Sequence, residues 1–470
     1  MIKLTLIIAA VVILATACSS NYVLDIDYAI ASANVRRSQI QHPTPAYIDG
    51  LRAQQRVVDH TVDLSRFAGP QGEIPNSILT HYAVEDVYIL FDLLRDVYGG
   101  YYFFGGDEVF IPLRDSIIAE LETADLRGTV QFSNIVWAGL SSVIADAHFE
   151  FDNGWMRPEF TFLSSNIQFG RNEDGFFHIG SGRQVVEVVG RDMEETFRLK
   201  LDEDGNLYYG AVVYFEGPRG RYNLTVVLDN GDEIVDTIRP ISTTFIPFEF
   251  SRLAFYDDVP VVSARSMSFA SGAGTQETFY SEDAINFLSF ATELVGEPVV
   301  IVDIRSNTGG SLITPTMWMY RLLDELVPPI VSIVGRNTEV SRPEAWLAEW
   351  YTPDEDIEKY ILNNVARHVE NDTLVIVLTD RHVFSAGEIF AGQLLNIENT
   401  LIIGQNTAGG LVTDSFGFNM YLPISNVRFV FGPGHFVHPQ GLFAEGRGFA
   451  PDIWVDGDAL TATLAMLANR

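Results

Sequence analysis

The chain has one cysteine, Cys18, in 470 residues. Intrachain disulfides are excluded, as is any zinc cluster built on cysteine. Lysine is nearly missing too: Lys3, Lys200 and Lys359 are the whole complement, and none follows position 359. Cations are scarce overall, with 30 Lys and Arg against 62 Asp and Glu, a net charge of −32. So acidic a surface repels phosphate backbones, so no nucleic-acid partner is expected. It also presents no basic face to anionic lipid. Beyond residue 20 no apolar run approaches the ~18 residues a membrane-spanning helix needs. What is present is apolar mass, 47% hydrophobic and 12% aromatic, enough for a large core. The length fits about two to four domains.

Residues 1–20 read MIKLTLIIAAVVILATACSS. Lys3 supplies a positive start, 4–14 are almost wholly apolar, and Ala15, Thr16 and Ala17 are small. This is a signal-peptide pattern. Small residues before a cysteine resemble a bacterial lipobox, which implies that Cys18 is lipidated and tethers the chain to the cell envelope, periplasmic or cell-surface. The plainer alternative is an ordinary secretory signal.

The remainder divides by texture. Residues 19–76 hold four prolines and no sustained period, and read as a tether and approach segment. Residues 77–158 read as a helical subdomain, with helices expected at 82–98, 112–123 and around 132–144. Asp146-Ala147-His148 then leads into the Phe149/Phe151 alternation of a strand. Residues 159–243 are β-rich, with alternating runs at 184–189, 207–215 and 222–227 separated by Asp204-Gly205 and Asn230-Gly231. Residues 244–470 read as an α/β domain. Its continuous apolar runs at 299–304 and 374–378 suit strands buried on both faces, followed by helices near 314–326 and 386–395. The expected class is therefore α/β in several parts.

Three stretches could carry chemistry. In Asp303-Ile304-Arg305-Ser306-Asn307-Thr308-Gly309-Gly310 a strand ends in a polar turn and two glycines, which let a backbone approach a ligand and leave amides free to donate. A tight strand-to-helix turn is an equal alternative. Ser385, in Phe384-Ser385-Ala386-Gly387-Glu388, lies between strand and helix, where its hydroxyl meets the positive helix end and neighbouring amides could hold an oxyanion. A helix cap completed by Glu388 explains the same residues. Glu445-Gly446-Arg447-Gly448-Phe449-Ala450-Pro451-Asp452 is a glycine-spaced charged loop.

Together, in this order, the DxRxNxGG turn, the Ser-Ala-x-Glu helix start followed by Thr407-Ala408-Gly409, and the ExGxxPD loop resemble the C-terminal-processing (tail-specific) serine peptidases. The likeness runs from about 261 to 455. It implies a crotonase-like spiral-sheet protease domain, a polypeptide substrate and no cofactor or metal. One branch of that family uses a Ser–Lys dyad, but Gly410 stands at the lysine's place. The other branch, similar to the tricorn protease core, takes histidine from an Asp-x-His stretch and glutamate from the ExGxxPD loop. By that resemblance Ser385 is the nucleophile, His148 the base and Glu445 the carboxylate that orients it. Gly309, Gly310 and Ala386 would supply oxyanion amides. Ala147 and Phe149 depart from the glycine and threonine common around that histidine.

Other groups could compete for these roles. His382 lies three residues before Ser385, Asp146 could orient His148, and His435-x-x-His438 hints at a metal without a third ligand. The β-rich module stands where relatives carry a peptide-binding PDZ domain; 186–190 and 223–234 resemble its later strands, and a simple β insert fits as well. An inert binding or scaffolding lipoprotein on the same fold is the alternative function. An α/β-hydrolase esterase lacks its G-x-S-x-G elbow at Ser385.

Overall fold

The computed structural model describes residues 24–55, 61–70, 75–124, 126, 128–152, 154–267, 282–311, 313–327, 331–335, 340–341, 368–415 and 419–470. The signal segment with Cys18, and Lys359, lie outside them.

The apolar runs of the last third form strands Val259–Ser263, Val299–Asp303, Leu374–Thr379, Thr400–Gly404 and Ile453–Trp454, which pair in that order and all in parallel. Successive side chains leave opposite faces. Val300, Val302, Val375 and Val377 pack one way, against Phe287, Trp318 and Phe390 of helices Glu282–Glu293, Ile313–Leu323 and Ala386–Leu394. Ile301, Ile376 and Leu378 pack the other way, with Ile403, against Ala459, Ala462 and Met466 of helix Ala459–Ala468. Each such buried aliphatic contributes roughly 1.5–3 kcal/mol relative to exposure. A polar residue at Ile376 or Val377 would therefore split one of the two layers.

That second face is shared by residues expected in the tether. Residues 26–38 and 45–54 are helices, Ile26–Ser38 and Pro45–Gln54, and not an approach segment. Asp25 and Thr44 cap their starts, each accepting a backbone N–H. The first helix buries Ile26, Ala29, Ala33 and Arg37. The Arg37 guanidinium pairs with Asp452 at 2.6 Å and donates to the Thr400 carbonyl.

The β-rich stretch is not a separate body either. Its strand Phe197–Leu201 pairs in parallel with Ile453–Trp454 at Lys200 and Trp454, so the described sheet continues without a break to Val185–Val188. Lys200 is buried at this junction, bonded to Asp456 and Ser164 at 2.6 Å each and to the Ser165 carbonyl at 2.7 Å. Gly205 and Gly231, both at φ +84°, make the expected turns.

The helical region comprises Thr80–Val97, Asp107–Thr123 and Thr129–Ser141. The second begins five residues before the proline that was expected to open it. Gly105 and Gly106 break the chain at positive φ, and Asp107 and Glu108 suit the positive helix start. These helices close over a four-stranded sheet ordered Met420–Tyr421, Arg428–Val430, Asp146–Phe151, Gly154–Met156. A hairpin from the C-terminal third thus enters the helical core, bringing Leu422, Phe429 and Phe431. The N-terminal helices and the parallel domain are thereby locked together where His148 emerges.

Candidate active site

Ser385 follows the central parallel strand Leu374–Thr379 and caps helix Ala386–Leu394. Open parallel sheets bind ligands beyond the carboxyl ends of their strands. The intervening turn is clamped on several sides. Asp380 accepts from the backbone N–H of Ser306 and of His382 at 2.9 Å each. The Phe384 N–H donates to the Asn307 carbonyl at 2.9 Å, and the Ala408 N–H to the Val383 carbonyl at 2.8 Å. So held, Ser385 adopts φ +54°, ψ −121°, a conformation a serine does not choose freely. A residue in such a sparse region costs of order 1–3 kcal/mol and persists only where its surroundings impose it. Glu388 returns a bond to the Ser385 N–H at 3.3 Å, so the cap reading is met in part. The hydroxyl itself lies 3.0 Å from His148 Nε2.

His148 reaches that point because its strand bulges. Asp146 pairs with Met156 and Glu150 with Trp155, leaving 147–149 out of register. The imidazole lies against the Phe384 ring, centroids 4.8 Å apart. Burial holds its pKa below 6.5, opposed by the Asp146 charge and the Thr413 carbonyl. Nδ1 has no hydrogen-bond partner among the described residues.

Three carboxylates surround the pair, Asp146 and Glu388 buried and Glu445 partly so. Asp146 accepts from the His148 N–H at 2.9 Å, and from the hydroxyls of Tyr98 and Thr413 at 2.7 Å each. Glu445 accepts from the Ala147 N–H at 2.6 Å and the Leu411 N–H at 3.1 Å. Its bonds thus go to backbone on both sides of the site and not to the imidazole, so it does not orient the ring by the direct contact expected from the motif. Burial and the neighbouring Asp146 push its carboxyl well above the usual carboxylate range. Glu388 accepts from Thr407 Oγ1 and from the Gly409 and Gly410 amides at 2.6–2.8 Å, fastening the glycine turn to the serine helix.

The twin-glycine turn lies over the serine. A side chain on Gly309, at φ +101°, would meet Ser385 Cβ at 2.7 Å. Its amide, however, donates to Asn307 Oδ1 at 2.9 Å. Of the three expected oxyanion donors, Gly310 and Ala386 have no acceptor among the described residues, whereas Gly309 is already engaged. The charged half of this motif is structural. Asp303 pairs with Arg265 at 2.9 Å and Arg305 at 2.8 Å, which hold its carboxyl down at about 2 against the cost of burial.

The rivals have other work. His435 Nδ1 and His438 Nε2 bond to the carbonyls of Val412 and Leu411, and no metal-ligating cluster occurs among the described residues. His382 stacks edge-on against Phe245 and does not touch Ser385. A side chain on Gly410, where the dyad branch has lysine, would strike the Phe384 ring at 1.8 Å. Asn307, Tyr98, Thr413 and the engagement of Glu388 had no sequence signal of their own beyond lying in or near the motifs.

The profile of peptidase family S41 matches residues 276–455, a span that holds Ser385, the twin glycines and Glu445. Over this span, under half of its length, the chain is similar to peptidase family S41. A probable CtpA-like serine protease of Staphylococcus aureus is 25% identical over 160 residues, 33% of this chain and 27% of the relative. One from Staphylococcus epidermidis is 22% identical over 235 residues, 47% of this chain and 43% of the relative. The matches therefore span less than half the length of these curated relatives. Among solved structures, mature CPAF complexed with lactacystin aligns with 83% of this chain and 98% of its own, at 14% identity and a TM-score of 0.44. The photosystem II D1 C-terminal processing protease aligns with 80% and 93%, at 15% identity and 0.37. The tricorn protease aligns with 84% and 37%, at 13% identity and 0.35. His148 lies outside the span matched to family S41, and the bulged strand brings it back to that span's serine.

Proposed function

We propose that this protein is a serine endopeptidase that cleaves polypeptides through an acyl-enzyme on Ser385. The observation that carries this reading is the 3.0 Å approach of Ser385 Oγ to His148 Nε2. A serine hydroxyl is too weak an acid to attack unaided. Burial favours neutral imidazole, so Nε2 can take the hydroxyl proton as Oγ adds to the scissile carbonyl carbon. The carbonyl oxygen becomes an oxyanion facing the amides of Ala386 and Gly310, where one donor is typically worth roughly 3–4 kcal/mol. Collapse breaks the C–N bond, and Nε2–H protonates the leaving amine. Water, deprotonated by the same nitrogen, then hydrolyses the ester and restores Ser385. Asp146 and Glu445 act as positioning residues, the first through the His148 N–H and the second through the adjoining Ala147 N–H.

Ser385→Ala is expected to lower cleavage of an unfolded protein such as casein by at least ~1000-fold while leaving the fold's circular dichroism intact. Undiminished proteolysis would remove Ser385 from the mechanism.

The substrates are proposed to be extracytoplasmic and the protein to be lipid-anchored through Cys18. The support is the apolar N-terminal run ending in small residues; in addition, no described helix is long and apolar enough to cross a membrane. Cys18→Ser should move the protein from the detergent to the aqueous phase in Triton X-114 partitioning; an unchanged distribution would argue against the anchor.

A further inference from the structure

A groove of about 630 Å³ opens beside the serine, bordered by Phe384, Thr308 and Ala408 from the three turns that build the site. Its walls are aromatic: Trp155, Phe160, Phe162 and Phe245 join Phe384. Its charge is inverted relative to the rest of the molecule. The chain carries twice as many acids as bases, yet the groove is lined by Arg157, Arg381 and His382 and by no Asp or Glu; Glu159 lies in an adjoining hollow that shares Trp155 and Arg157.

The two arginines differ in availability. Arg381 lies 4.4 Å from the centre of the Phe162 ring and donates to the carbonyls of Thr407, Arg447 and Gly446, so three of its five N–H donors are occupied. It forms part of the floor and lends positive potential. Arg157 is exposed, and no carboxylate among the described residues pairs with it. Its charge lies near enough to Arg381 to oppose that group's own ionisation. Two like charges side by side, one of them uncompensated, form a standing site for an anion.

We propose that this groove selects the substrate segment: it takes a large apolar side chain adjoining the scissile bond, with a substrate carboxylate nearby in sequence held by Arg157. This rests on the serine peptidase reading above and names its preferred substrate class. Aromatic walls reward a Phe, Leu or Met that leaves water. The guanidinium rewards Asp or Glu through a charge-assisted bond that the acidic exterior of the protein could not supply. The remainder of the surface repels acidic chains at long range, so the preference is local and strengthened at close approach.

The test uses Ser385→Ala protein, which binds without turning over, and fluorescent decapeptides of alanine and serine with one central Phe. Paired peptides carry Asp or Asn at each of the three positions on either side. The Asp member of at least one pair should bind roughly tenfold tighter in low salt, the advantage shrinking as salt rises. Adding Arg157→Gln should bring that ratio close to one, and replacing the central Phe by Ala should weaken binding by about tenfold. Equal binding of every Asp/Asn pair, or a preference that survives Arg157→Gln, overturns the proposal. Turnover is measured separately with the unsubstituted enzyme on the same peptides. Failure to cleave any of them counts against the peptidase reading, whereas cleavage without preference counts against the groove.

Discussion

At the scale of single residues, the site is defined by what its backbone forces on Ser385 and what burial forces on His148. The serine cannot relax from φ +54° while Asp380, Asn307 and Ala408 hold the turn. The imidazole, out of water, resists protonation, which is the state a general base needs. The sign follows directly. Protonated His148 cannot accept the hydroxyl proton, so kcat/KM falls as pH drops through its pKa, and burial places that pKa below 6.5. A pH–rate profile on a neutral peptide should therefore show an acid limb with its midpoint below 6.5; a midpoint above that value, or no limb, contradicts the assignment. Ser385 and His148 were legible because motif order and the Asp-x-His stretch marked them. The bonds of Glu445 were not. A carboxylate that receives two backbone amides depends on how the Ala147 bulge and the Leu411 segment approach it, and no residue type announces that. The loss of the Gly309 amide to Asn307 has the same cause, a side chain folding back two residues along its own turn.

At the scale of elements, continuous apolar runs identified two of the five parallel strands, Val299–Asp303 and Leu374–Thr379, to within a residue, because burial on both faces leaves little room for polar side chains. The helix Ile26–Ser38 was missed because its buried face, Ile26, Ala29, Ala33 and Arg37, has helical spacing but only one large apolar residue and ends in a charge. The ion pair with Asp452 and the bond to the Thr400 carbonyl explain why Arg37 lies inside. The strand-to-turn junction at Asp303 carries a similar buried ionic cluster, and here the thermodynamics are testable. Its folded pKa of about 2 lies below the ~3.9 of an unfolded aspartate, so its stabilisation is complete above about pH 4 and is lost as pH falls toward 2. Asp303→Asn takes from Arg265 and Arg305 their buried charge partner, leaving only the more exposed Glu249 at 4.0 Å and Asp458 at 2.7 Å. It should cost about 3–5 kcal/mol in denaturant unfolding at pH 7, with the gap from the parent protein narrowing below pH 4. A gap that is independent of pH would show that the cluster does not act through the aspartate's charge.

At the scale of the molecule, one sheet runs from the S41-like span through Lys200 into the β-rich stretch, and one hairpin runs back from that span into the helical layer. Texture along the chain marked these regions as different kinds of structure. It could not show that they share hydrogen bonds, because strand pairing between distant segments leaves no local mark. The architecture accounts for how the proposed pair at positions 148 and 385 meets: the serine is fixed at the end of the parallel sheet, and the histidine is delivered by a bulge in a sheet that the same chain completes with residues 428–430. The most direct measurement of that convergence is labelling with an alkyl fluorophosphonate, the adduct located by mass spectrometry of the digested protein. A single adduct on Ser385, formed at least ~100-fold more slowly after His148→Ala, is the predicted result. An adduct on a different serine, or labelling of Ser385 at an unchanged rate without the imidazole, would contradict it.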